Sequence, residues 1–177
     1  MSGIARRGLI CAGLAILLAG CATQPPSPDV SSPKLTLTEA FSGRTTGIGV
    51  FTVPLTGLER RFTARLNGSL RGDRLIVTED FVYDDGVKER LTWRFRRTGP
   101  ATWDGAREDT VGTARVTEKG SEIRLEYLAD IKSKGEVTRL GFSDVIFRRA
   151  DGVVINNAVV TRHGLPIGTV HFELRRR

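Results

Sequence analysis

Two adjacent carboxylates, Glu79 and Asp80, interrupt the apolar stretch from Leu75 to Tyr83. A strand has a two-residue period, so Leu75, Val77, Glu79, Phe81 and Tyr83 share one face and Ile76, Thr78, Asp80 and Val82 the other. Whichever face turns inward, one carboxylate joins apolar neighbours. A buried carboxylate needs a partner or a raised pKa. Three roles fit: a polar anchor inside a ligand cavity, a general acid or base, or one half of an ion pair with an inward arginine. The following Asp84-Asp85-Gly86 reads as a turn.

Other polar clusters are weaker. Asp104, Glu108 and Asp109 follow Trp103 and offer oxygen ligands to a divalent cation, but their spacing matches no EF-hand loop, which favours a solvated hairpin. Asn156 and Asn157 sit inside the apolar run from Val153 to Val160. One of them must point inward and find hydrogen bonds, either to a ligand or within the core. His163 and His171 are the two histidines, separated by a Gly-Leu-Pro turn and without metal-ligand spacing. No serine occupies a Gly-x-Ser-x-Gly elbow. Gly47-Ile48-Gly49 lacks the third glycine and the helix of a dinucleotide site. No catalytic residue, metal or cofactor is expected. Phe51, Phe81, Tyr83, Trp93, Phe142 and Phe147 are candidate lining residues, and Glu79, Asp80 and Asn156 candidate polar contacts, for an apolar ligand.

The N-terminus carries a different chemistry. Arg6 and Arg7 precede an apolar run from Gly8 to Leu18, the length of a signal-peptide core and too short to span a bilayer. The run ends in Leu18-Ala19-Gly20-Cys21, which resembles the lipobox of bacterial lipoproteins. That resemblance implies a leader over residues 1–20, acylation of Cys21, and an anchor of acyl chains. Each buried CH₂ contributes about 0.8 kcal/mol, so two or three chains hold where one does not. Ala22, in place of an aspartate, points to the outer membrane, facing the periplasm, with the inner membrane as the alternative. Residues 21–34 hold four prolines and read as a tether reaching roughly 40 Å at 3.1 Å per residue. Loss of Arg6 and Arg7 lowers the formal charge of +7 by two. With Cys11 removed and Cys21 acylated, no disulfide remains, so residues 35–177 must stand on a packed core.

From Leu35 onward the pattern alternates with period two. Phe62, Ala64 and Leu66 alternate with arginine and threonine; so do Leu91, Trp93 and Phe95. The runs Ile123 to Ile131 and Val170 to Leu174 repeat the pattern. Turn signals stand at Asn67-Gly68, Gly72-Asp73, Asp85-Gly86, Gly99-Pro100, Gly120, Gly135, Asp151-Gly152 and Gly164. Eight to ten short-linked strands predict an all-β, up-and-down antiparallel barrel of lipocalin-like form, because closure removes exposed edges; a β-sandwich is the alternative. Residues 36–41 read as a short entry helix or strand. Arg60, Arg61 and Arg65, Arg94, Arg96 and Arg97, Arg148 and Arg149, and Arg175 to Arg177 suit a solvated outer face or contact with anionic lipid headgroups. An exported protein has no call for nucleic acid.

Several stretches together resemble an uncharacterised family of Gram-negative lipoproteins with a lipocalin-like domain. They are Phe41-Ser42-Gly43, Gly47 to Phe51, Arg61-Phe62-Thr63, Glu79 to Gly86, Asp109 to Ala114, Ile155 to Ala158, Gly164 and Gly168; the family's late aromatic is His163 here. The resemblance implies a lipid-linked role and assigns no catalytic residue. The expected function is binding or carriage of a lipid or fatty acid. A filled interaction barrel, or an enzyme on modified fatty acids using Glu79 or Asp80, are the alternatives.

Overall fold

The computed structural model describes Pro25 and residues 32–133 and 135–177. The leader, Cys21 and most of the tether lie outside the described residues. A short helix, α1 (Leu37–Phe41), precedes ten strands: β1 (Gly43–Val53), β2 (Leu58–Arg71), β3 (Arg74–Tyr83), β4 (Lys88–Gly99), β5 (Thr102–Ala106), β6 (Thr110–Lys119), β7 (Glu122–Ser133), β8 (Glu136–Arg148), β9 (Val154–Arg162) and β10 (Leu165–Arg176). Each strand pairs antiparallel with the next, and β1 pairs with β10 from Thr45↔Arg176 to Thr52↔Thr169. The sheet is therefore a closed ten-stranded meander, as the alternation and short turns require, and not a sandwich. Its core draws on residues from Leu35 to Leu174. The first strand closes on the last, so the barrel leaves no unpaired sheet edge within this stretch. No described helix is long and apolar enough to cross a membrane.

The interior is filled at one end. Thr36 caps α1 through a reciprocal capping box with Glu39, which satisfies amides that a helix start otherwise leaves bare. Leu35, Leu37, Ala40 and Phe41 face the barrel and are buried. Glu118 Oε1 accepts from the Leu37 amide at 2.8 Å and from Trp103 Nε1 at 2.9 Å, pinning the plug to the wall. Arg176 Nη2 donates to the carbonyls of Glu39 and Ser42.

One predicted turn is not a turn. Asn67 and Gly68 lie within β2, paired to Thr78 and Val77. A Cβ at Gly68 would stand 1.8 Å from the Phe41 carbonyl oxygen. The glycine is there because the plug lies directly on the strand, and such close approach of backbone excludes any side chain. The other predicted turns at Gly72, Gly86, Gly120, Gly135, Gly152 and Gly164 carry positive φ, the conformation that favours glycine.

Candidate functional site

Above the plug the barrel is hollow. A cavity of about 770 Å³ has Phe41 on its floor and aromatic side chains around its wall, within the size range of small-molecule sites. Phe62 is central to one wall, 5.6 Å from Phe81 and 5.1 Å from Phe172 between ring centroids. A Cβ at Gly49 would collide with the Phe62 ring at 2.3 Å, so this glycine makes room for an aromatic. Across the cavity, Tyr127 stacks on Phe142 at 4.8 Å and meets the edge of Trp93 at 5.1 Å.

The adjacent carboxylates separate as strand geometry demands. Glu79 turns inward with Leu75 and Val77 and is 6% exposed. Asp80 turns outward, where Arg90 Nη2 donates to it at 3.1 Å; it lines no part of the cavity, which corrects its candidacy as a ligand contact. Phe81, Tyr83, Trp93, Phe142 and Asn156 all line the cavity with Glu79. Phe51 does so too, whereas Phe147 does not: it has the parity of Val145, opposite to Asp144 and Ile146. Asn157 faces out and bonds His171 Nδ1 at 2.7 Å.

Arg107, the most buried of the arginines that line the cavity, stands outside the residues singled out from sequence. It lies just past the end of β5, with the inward parity of Trp103 and Gly105, and only 11% of its side chain is exposed. Its Nε and Nη2 donate to the two oxygens of Asp109 at 2.7 and 3.1 Å. Its Nη1 lies 3.7 Å from Glu79 Oε2, beyond hydrogen-bond reach. The guanidinium carbon sits 5.0 Å from the Trp93 ring centroid and 5.1 Å from that of Tyr127, a contact that orients it. Asp144, 4% exposed, accepts from Asn156 Nδ2 at 2.7 Å; its other oxygen and the Asn156 carbonyl have no partner among the described residues.

Burial dominates the electrostatics. It pushes Glu79 up to about 7, against the pull of Arg107 and with the nearby acids Asp144, Asp109 and Glu108 adding to the rise. Burial likewise takes Asp144 to about 7, opposed by the Asn156 hydrogen bond and by Arg107. For Arg107 burial works against the charge, but Tyr127, Asp109 and Glu79 more than offset it, so the guanidinium holds its proton more firmly than usual.

The acidic loop is only partly the solvated hairpin expected. β5 has five residues and ends at Ala106, opposite Arg94, while β4 continues to Lys88 on the far side. The β5–β6 connection is therefore recessed into the wall. That recess draws Asp109 inward to 14% exposure while Glu108 stays on the rim at 46%. Glu108 bridges the resulting notch: Oε2 accepts from the Thr92 amide at 2.6 Å and Oε1 from Arg94 Nη1 at 3.1 Å. Leu91 from β4 and Thr110 and Val111 from β6 carry the cavity lining to this notch. Asp104 faces out, 3.8 Å from Arg96. Among the described residues no group of three or more His, Cys, Asp or Glu is placed to hold a metal ion.

In fold, the chain is similar to the S-type phycobiliprotein lyase CPES from Guillardia theta. The TM-score is 0.56 at 7% sequence identity, over 77% of this chain and 88% of the lyase. That likeness establishes a lipocalin-like barrel. No curated protein matches the sequence. Residues 15–176 match the protein family of unknown function DUF3833, and the chain belongs to that family.

Proposed function

We propose that this protein is a lipoprotein, anchored through Cys21 to the outer membrane and facing the periplasm, whose barrel binds or carries a lipid-like apolar molecule. The observation that carries the reading is the half-filled interior: α1 plugs one end, and above it an aromatic cavity of about 770 Å³ converges on a few buried polar groups. Enclosing an acyl chain there gains about 25 cal/mol per Å² of apolar surface removed from water, and the polar cluster fixes the head. The similarity to the barrel of a phycobiliprotein lyase is compatible with a small-molecule ligand here. A filled interaction barrel fits the cavity poorly. Arg60 lines the cavity over the Tyr83 ring and pairs with Asp85, whereas on the outer face Arg61 and Arg94 pair with Glu59 and Glu108; the remaining basic surface supports contact with anionic headgroups.

Trp93 borders the cavity, so binding should quench its fluorescence. Titrating residues 32–177 with 1-aminoanthracene should give saturable quenching that long-chain amphiphiles reverse; a linear, non-saturating response contradicts the proposal. For the anchor, Cys21→Ser should shift the protein out of the detergent-extracted outer-membrane fraction, and an unchanged distribution contradicts acylation at Cys21.

A second reading rests on Glu79. A cavity carboxyl whose pKa is raised to about 7 is matched to proton transfer near neutrality. It would make the barrel an enzyme on modified fatty acids. Turnover that survives Glu79→Gln removes this residue from such a mechanism.

A further inference from the structure

The polar cluster in the cavity wall is specific about the head group it can accept. Arg107 has two of its three nitrogens committed to Asp109, which leaves Nη1 with N–H donors that reach no hydrogen-bond partner among the described residues. Glu79, buried and facing the same space, likewise has no hydrogen bond among the described residues, and its Oε2 stands 3.7 Å from Nη1. The two groups thus present a donor and an acceptor side by side. That spacing is too long for a mutual bond and suits one further oxygen that touches both. An oxygen that accepts from Nη1 and donates to Glu79 is a hydroxyl. A carboxylate has no proton to give ionised Glu79, the form that prevails at pH 8. It would also add a fourth acid to Glu79, Asp109 and Asp144, around an Arg107 guanidinium already bonded in bidentate fashion, while the other lining arginines, Arg60 and Arg90, are paired with Asp85 and Asp80. An ammonium can donate to Glu79 but leaves Nη1 without an acceptor and sets a second cation against Arg107.

We infer that the cavity takes an amphiphile with an uncharged hydroxyl head, held between Arg107 Nη1 and Glu79, and that it discriminates against a free carboxylate head. This rests on the apolar-ligand reading above and narrows it from lipids in general to long-chain alcohols and hydroxyl-headed lipids. The Trp93 and Tyr127 rings that flank the guanidinium fix the donor, and the inward strand position fixes the acceptor. The match is therefore built into the wall before any ligand arrives.

Displacement of 1-aminoanthracene from residues 32–177 at pH 8 by dodecan-1-ol, dodecanoate and dodecylamine tests this. The chain is common to all three, so differences report the head. Dodecanol should displace the probe at a concentration at least about tenfold below dodecanoate, a single hydrogen-bonded site being enough for that ratio. In Glu79→Leu, checked for folding by circular dichroism, the ratio should collapse towards one. Equal or better binding of dodecanoate, a preference for dodecylamine, or a ratio unchanged in Glu79→Leu overturns the inference while leaving the cavity reading intact. If the variant does not fold, the wild-type ratio decides alone. Failure of the probe and all three compounds to bind overturns both.

Discussion

Arg107 Nη1 lies 3.7 Å from Glu79 Oε2 while the rest of the same guanidinium is bonded in bidentate fashion to Asp109. One cation thus serves two carboxylates unequally inside an apolar barrel, and the less favoured one is left facing the cavity. The properties of the site follow from this inequality, including its proton affinity, its sensitivity to substitution and the head group it accepts.

Glu79 and Asp144 make stability depend on pH. Both hold their protons more tightly folded, at about 7, than their ordinary values of 4.5 and 3.8. Between those limits the folded state binds more protons than the unfolded one, so stability falls as pH rises. The favourable contribution is complete below about pH 4 and gone above about pH 7. Each tenfold difference in proton affinity is worth about 1.4 kcal/mol, which puts the loss at a few kcal/mol for each group. Glu79→Gln, which mimics the protonated acid, should melt several degrees above wild type at pH 8 and show no advantage at pH 4.5. A variant equally stabilised at both values contradicts this origin.

Removal of the cation should act in the opposite sense. Arg107→Leu leaves Asp109 without its bidentate donor and Glu79 and Asp144 without a nearby positive charge. Breaking a buried pair in this way costs about 3–5 kcal/mol. The cost should be largest at pH 8, where the carboxyls are ionised, and smaller at pH 5. Thermal melts at the two pH values read it directly, and a loss independent of pH would mean that lost packing on Trp93 and Tyr127 dominates.

These two residues also mark how far the sequence could be read. The period-two run around Glu79 places it and its neighbours correctly on a face, because each inward position there is apolar and the exception stands out. Arg107 is harder to see. Trp103, Gly105 and Arg107 share a face by the same parity, but the run is only five residues long and its middle inward residue has no side chain. The glycine is there because the Phe95 ring occupies the space, with a Cβ clash at 2.5 Å. Without that packing in view, Arg107, Glu108 and Asp109 read as one more charged hairpin. Asp144 hides similarly, as an acid in the middle of β8 whose partner Asn156 comes from β9. Gly68 misleads for a related reason: Asn-Gly is the strongest local turn signal, and only the plug lying across the strand explains the glycine otherwise.

The plug should be sensitive at that glycine. Gly68→Ala sets a methyl group 1.8 Å from the Phe41 carbonyl oxygen, which only movement of α1 can relieve. The expected cost is about 1–3 kcal/mol, as for overpacked cores. Because Phe41 floors the cavity, probe affinity should also change. A Gly68→Ala protein with wild-type melting and binding contradicts the role assigned to α1.

Filling the cavity should separate binding from folding. Val170 lines it from β10, beside Phe172. Val170→Trp should leave the barrel melting cooperatively, with a loss of no more than about 1–3 kcal/mol, and reduce 1-aminoanthracene affinity at least about tenfold. Unaltered affinity places the probe elsewhere, on the outer surface.

If the barrel is hollow in order to hold a ligand, a ligand should travel with it through native mass spectrometry of residues 32–177, exported to the periplasm and purified without detergent. The account predicts a second species heavier than the polypeptide by the mass of a co-purified amphiphile, released on denaturation and absent from Val170→Trp. A spectrum with the polypeptide mass alone, unchanged after incubation with dodecan-1-ol, would contradict it.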